Sequence, residues 1–176
     1  MVKEKEPLVS IIVITYNSSK YVLETLESAK AQTYQNIELI VSDDCSTDDT
    51  AEVCRNWLDA NRDRFIRVEI VVAEKNKGIP ANCNQGLKAS KAEWIKLIAG
   101  DDALFPNCIE VNLERVLQNS FIRVLLSNVD IYQNIFDDNY KINSRLNISL
   151  NNFFKDTITA QEQYRLLLKG DLITIT

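Results

Sequence analysis

A chain of 176 residues with 45% hydrophobic and 26% charged side chains holds enough apolar material for one globular domain with a sizeable core, and too little length for a second full one. A formal charge of -5 without any Lys/Arg block argues against nucleic acid as a partner. Histidine is absent, and none of the four cysteines, Cys45, Cys54, Cys83 and Cys108, stands in a Cys-x-x-Cys spacing, so imidazole chemistry is excluded and a zinc site is disfavoured.

Apolar runs alternate with helical patterns along the chain. Strands are expected near 8–15, 37–42, 66–73, 93–99 and 121–132, and helices near 18–31, 47–60, 79–90 and 106–118. The regular alternation of strand and helix implies an α/β three-layer sandwich, a mostly parallel sheet with helices on both faces. Ser46-Thr47-Asp48-Asp49 reads as a capping box for the second helix, which gives Asp48 and Asp49 a structural role. Pro80 and Pro106 suit the first turns of the third and fourth helices. Seven asparagines between Asn128 and Asn152 read as irregular, solvated loop, and Asp137-Asp138 within it is given no function. Thr159-Ala160-Gln161-Glu162 opens a short amphipathic helix to Lys169, and Asp171 to Thr176 starts a further apolar strand on which the chain ends. The expectation is one domain over 1–176, truncated at its C-terminal side. No apolar stretch reaches the roughly 18 residues of a membrane span, and Met1 to Pro7 lacks a signal-peptide core. A cytoplasmic location, at most peripheral to the inner face of the membrane, is therefore expected.

Chemistry concentrates at strand ends. Four Asp pairs occur, at 43–44, 48–49, 101–102 and 137–138, but only Asp43-Asp44 and Asp101-Asp102 follow directly on apolar strands. Carboxylates crowded there repel one another and lose solvation unless a cation or a hydrogen-bonding ligand sits with them. Open α/β sheets bind ligands in the crevice outside the carboxyl ends of their strands, where both pairs fall. After the first strand comes Thr15-Tyr16-Asn17, with neither Gly-x-Gly-x-x-Gly nor Gly-Lys-Ser/Thr. The dinucleotide-binding and P-loop readings fail for want of glycines that let backbone approach phosphate. Cys45 lacks a histidine partner and is read as a small, partly buried residue and not as a nucleophile.

Four segments in this order resemble the family 2 glycosyltransferases of GT-A fold: Val9 to Asn17, Gln32 to Asp48, Asn76-Lys77-Gly78 with Asn84, and Gly100-Asp101-Asp102. The resemblance covers nearly all of the first hundred residues. It implies an inverting, hexosyl-type transferase moving a sugar from a nucleotide-diphosphate donor, of uridine type, to a glycan or glycolipid hydroxyl. Surface polysaccharide or glycolipid assembly is the common setting of bacterial relatives. It implies nucleotide binding by Thr15, Tyr16, Asn17, Asp43, Asp44, Asn84 and Asp101. Tyr16 would stack on the base, Asp44 would accept the uracil N–H, and Asp101 would hold the ribose. Asp102 would ligate a divalent cation, Mn²⁺ or Mg²⁺, on the diphosphate. Two positions depart from the family pattern: Ala99, where many members carry another aspartate, and Cys83, where an arginine often precedes the motif asparagine. The general base is expected beyond Thr176, so a donor-binding module without catalysis is the main alternative. A receiver-type domain would need an acidic cluster after the first strand, and a nucleotidyltransferase a glycine-rich basic loop there; neither is present.

Overall fold

The computed structural model describes residues 6–119, 121–127, 129–133, 136 and 138–145. They fall into two compact units, one to Arg123 and one from Val124. In the first unit the elements are β1 (Val9–Thr15), α1 (Val22–Lys30), β2 (Ile37–Asp43), α2 (Thr50–Asn61), β3 (Arg67–Val72), α3 (Ile79–Ala89), β4 (Trp94–Ala99) and α4 (Cys108–Leu117). The four strands form one parallel sheet in the order β3-β2-β1-β4. Thr15 stands opposite Asp43, Asp43 opposite Val72 and Ile14 opposite Ala99, so the carboxyl ends line up within a residue of one another.

Period-two alternation distributes the strand side chains between two faces. Ile11, Val13, Leu39 and Val41 belong to a core with Val22 and Leu26 of α1, Cys54, Trp57 and Leu58 of α2, and Ile109, Leu113 and Val116 of α4. Fully burying one such aliphatic side chain stabilises by about 1.5–3 kcal/mol. The opposite face receives α3, which approaches so closely that a β-carbon on Gly86 would lie 2.4 Å from Cγ2 of Ile12. Both central strands are covered on both sides, which explains why β2 is buried at every position, its charged Glu38 included. Glu38 is satisfied where it lies: it accepts from Arg67, from the Ser10 hydroxyl and from the backbone N–H groups of Lys91 and Ala92. Desolvation pushes its carboxyl up, and those hydrogen bonds outweigh it, so the group sits below its ordinary value.

Several sequence expectations shift. α1 begins at Val22 and not near 18, because residues 18–21 form a turn closed by Tyr21 N–H to Ser18 O (2.9 Å). Pro106 precedes α4 by two residues, its carbonyl accepting the Thr33 N–H (2.8 Å). The strand expected over 121–132 is reduced to β5 (Val129–Tyr132), which joins no parallel sheet but pairs antiparallel with β6 (Lys141–Arg145) in the second unit. β6 lies in the stretch expected to be irregular loop. Cross-strand pairing, with Lys141 Nζ 2.7 Å from the Asp130 carboxylate, overrides the poor strand propensity of its asparagine-rich surroundings. The helix expected to Lys169, the strand from Asp171 and Asp137 lie outside the described residues.

Candidate functional site

The aligned ends of β1, β2 and β4 bring three of the sequence motifs to one edge of the sheet. Thr15 Oγ1 donates to Asp43 Oδ1 (2.7 Å) across the last register pair. Asp43 also accepts from the Ser46 N–H (2.8 Å) and the Ser46 hydroxyl. Both Thr15 and Asp43 are buried. They lock the β1 and β2 ends together and present little polar surface to a ligand. Asp44 is buried as well, its oxygens accepting from the backbone N–H groups of Lys77 (2.9 Å) and Gly78 (2.7 Å). A carboxylate offers about four acceptor positions, so these two bonds anchor the loop before α3 and leave capacity for a further donor.

Tyr16 is the open aromatic at this edge, 48% exposed. Asn17 adopts a left-handed backbone (φ 51°), and its Oδ1 accepts the Thr47 N–H (2.8 Å) while its own N–H donates to the Ser46 hydroxyl (2.8 Å). Asparagine tolerates that backbone region better than most residues, and here it zips the loop after β1 to the loop after β2. Cys45, also left-handed at φ 61°, sits in that second loop with Sγ directed at the Glu74 carbonyl (3.7 Å). Asp48 caps as expected: it accepts from the Thr50 N–H and hydroxyl and from the Ser19 N–H. Desolvation acts to raise its carboxyl, yet the Thr50 and Ser19 bonds hold it at about 2. Asp49 occupies the N-cap position of α2 without a side-chain cap bond, a correction to its expected role, and the side chain that bonds the first turn is Asp48, one residue earlier, at the Thr50 N–H.

Asp101 and Asp102 form an exposed turn directly after β4. Gly100 is required there, since a β-carbon would fall 2.8 Å from Cγ2 of Thr15 and 3.3 Å from the Ile14 carbonyl. That close approach draws the Asp pair against the β1 end. Asp102 is pushed above the ordinary carboxylate range, first by desolvation and then by the neighbouring Asp101 charge, with Lys96 opposing. A cation would relieve that penalty. Among the described residues no group of three or more His, Cys, Asp or Glu gathers. The pair therefore fits an ion that takes most of its ligands from phosphate and water, as Mg²⁺ and Mn²⁺ do, and does not fit a closed structural metal.

Asn84 stands exposed on α3. The buried amide of that helix is Asn82, whose Oδ1 accepts from the Ser42 hydroxyl (2.7 Å) and whose Nδ2 donates to the Thr15 carbonyl (3.1 Å). Gln85 donates from the next turn to Ser42 Oγ (3.2 Å), the Asp43 carbonyl (3.4 Å) and the Val71 carbonyl (3.2 Å). Sequence reasoning missed Asn82. One signal could have found it: it precedes Gly86 by four residues, so both occupy the helix stripe that meets the sheet.

A model of glycosyl transferase family 2 matches residues 10–168. Among curated proteins the chain is 38% identical over 110 residues to the glycosyltransferase GlyG of Streptococcus pneumoniae, covering 62% of this chain and 35% of that protein. Among solved structures it resembles S. aureus TarS 1-349 in complex with UDP-GlcNAc, with TM-score 0.57 and 28% identity over 64% of this chain and 32% of the other. It also resembles the mannosyltransferase PcManGT of Pyrobaculum calidifontis, solved with GDP-Man and Mn²⁺, with TM-score 0.53 and 26% identity over 57% and 29% of the two chains. The chain spans less than half the length of the curated relatives it matches.

Proposed function

The chain belongs to glycosyl transferase family 2, and on that premise we propose that it binds a nucleotide-diphospho-sugar at the carboxyl ends of β1, β2 and β4 for transfer of the sugar to an acceptor hydroxyl. The observation that carries this reading is the meeting of an open aromatic, Tyr16, with the Asp44 loop anchor and the Asp101-Asp102 turn on strand ends that share one register. In this reading Tyr16 stacks on the nucleobase and Asp44 accepts the ring N–H of uracil while holding the 77–78 backbone. Thr15, Asp43 and Asn17 act from behind by fixing the two loops, a positioning role in place of the direct contact first expected. Asn84 faces solvent beside the same helix and lies free to meet the donor.

Asp101 and Asp102 hold a divalent cation and the ribose between them, with Asp102 the metal ligand. When bound, the ion offsets charge on the departing diphosphate, worth several kcal/mol. The acceptor is a glycan or glycolipid and the displacement inverts the sugar. Asp130 and Asp138 are not assigned as base, because the first is paired with Lys141 and the second accepts from the Tyr132 hydroxyl (3.4 Å). No helix among the described residues is long and apolar enough to cross a membrane, and a cytoplasmic placement belongs to the same reading. Calorimetric titration of the chain with UDP, GDP and ADP, each with and without Mn²⁺, tests it. UDP is expected to bind tightest and to need the ion. A purine preference sinks the uracil assignment, and no binding of any of the three sinks the donor site.

A further inference from the structure

The β1–β2 ladder ends at the pair Thr15 and Asp43, and the residues that face the ligand lie just past it. Beyond that pair the sheet no longer dictates how far apart the two chains run. Asn82 braces the last rungs before that point from the α3 side: one buried amide, only 5% exposed, bonds to Ser42 on β2 and to the Thr15 carbonyl on β1. These atoms immediately precede Asp43 and Tyr16. The same Thr15 oxygen also accepts the Asp44 N–H (3.0 Å), so the amide registers the backbone of both Tyr16 and Asp44.

A buried side-chain amide adds little net stability when satisfied and is costly when not. What it supplies that an aliphatic side chain lacks is direction, because a hydrogen bond is angle-dependent and packing is not. The helix that presents it is itself fixed at both ends to β2. Asp44 holds the Lys77 and Gly78 N–H groups at its start, and Arg67, paired with Glu38, donates to the Ala89 carbonyl (3.1 Å) at its close.

We propose that Asn82 is a positioning residue for the donor nucleotide, its buried amide fixing the spacing between the β1 end that carries Tyr16 and the β2 end that carries Asp44. The inference rests on reading those ends as the nucleotide site. It touches no substrate atom and acts through Thr15 and Ser42.

The test uses the full chain and whichever of UDP, GDP or ADP the parent binds tightest in Mn²⁺, with dissociation constants measured well below each variant's melting midpoint. Asn82→Ala is expected to weaken binding roughly tenfold, the scale of one buried hydrogen-bond pair. Ser42→Ala is expected to weaken it less, and the double variant no more than Asn82→Ala alone, since the two groups form one network. Leu58→Ala, buried on α2 against the sheet face opposite α3, supplies the structural control: it melts earlier and keeps its affinity within about twofold. Asn82→Ala that melts earlier yet binds like the parent overturns the inference, as does an equal loss in Leu58→Ala. If Asn82→Ala does not fold, Ser42→Ala with parental affinity has the same overturning force. A parent that binds none of the three nucleotides removes the donor-site reading and this inference together, whereas a binding parent with an equally binding variant removes this inference alone.

Discussion

Gly86→Ala is expected to destabilise the protein and to loosen the proposed nucleotide site, although alanine is the better helix former. The added β-carbon would lie 2.4 Å from Cγ2 of Ile12 and 3.3 Å from Cβ of Ser42. Relaxed carbon–carbon contacts are about 3.5–4.0 Å, so α3 must retreat by about 1 Å. Ile12 cannot yield, being fully buried and β-branched, with χ1 held in few states. Overpacking of this kind costs about 1–3 kcal/mol, and replacing glycine in a helix interior returns about 0.8–1.0 kcal/mol. A net loss near 1 kcal/mol lowers the melting midpoint by about 3–6 °C for a unit of this size. The functional effect should be larger than the thermal one. Asn82 is one turn away on the same stripe, and its bonds of 2.7 and 3.1 Å would stretch past hydrogen-bonding range with that retreat. Thermal melts and nucleotide titration of the parent, Gly86→Ala and Gly86→Val read both consequences, the valine variant falling further because it adds volume and lacks alanine's helix gain. A midpoint unchanged or raised in Gly86→Ala, with parental affinity, would show that α3 shifts without penalty and refute the reasoning.

The other expectations are shorter. Asp102→Asn should reduce the Mn²⁺ dependence of nucleotide binding more than Asp101→Asn, read by titrating the ion at fixed nucleotide; identical curves for both variants and the parent contradict the metal assignment. Asp44→Asn should cost affinity for UDP and also loosen the Lys77–Gly78 loop, visible as faster exchange of those two amide protons; unchanged exchange argues against the anchor. The Asp48 carboxyl lies at about 2, below its ordinary 3.8, so its stabilising effect is present above pH 3.8 and lost as pH falls through about 2. Asp48→Asn should accordingly melt below the parent at neutral pH and converge with it in acid, and parallel curves down to pH 2 would be the contrary result. Arg67→Met leaves the buried Glu38 without its cation, a change that costs about 3–5 kcal/mol for a fully buried pair, and less here because Arg67 is partly exposed and backbone N–H groups remain. Its midpoint should drop, and a midpoint equal to the parent's would contradict the structural role of the pair.

Alternation of apolar runs with helical periods was enough to state the parallel sheet, its four strands and the helices between them, because each of those elements is dictated by local pattern and by the burial of both sheet faces. The strand-end placement of Thr15-Tyr16-Asn17, Asp43-Asp44 and Asp101-Asp102 was legible for the same reason: where an apolar run stops, the strand stops. The fate of the second unit was not legible, since β5 and β6 depend on each other across an asparagine-rich interval that has no strand signal of its own. Nor could the sequence say which polar residues look outward. Thr15, Asp43 and Asn17 have the residue types of a ligand site, yet spend their atoms on each other and on Ser46 and Thr47, whereas Asn82 and not Asn84 enters the core. Those outcomes turn on the register that sets Thr15 opposite Asp43 and on the glycine that lets α3 sit against Ile12. Both are relations between segments distant in the chain, decided only when the sheet and helix are packed.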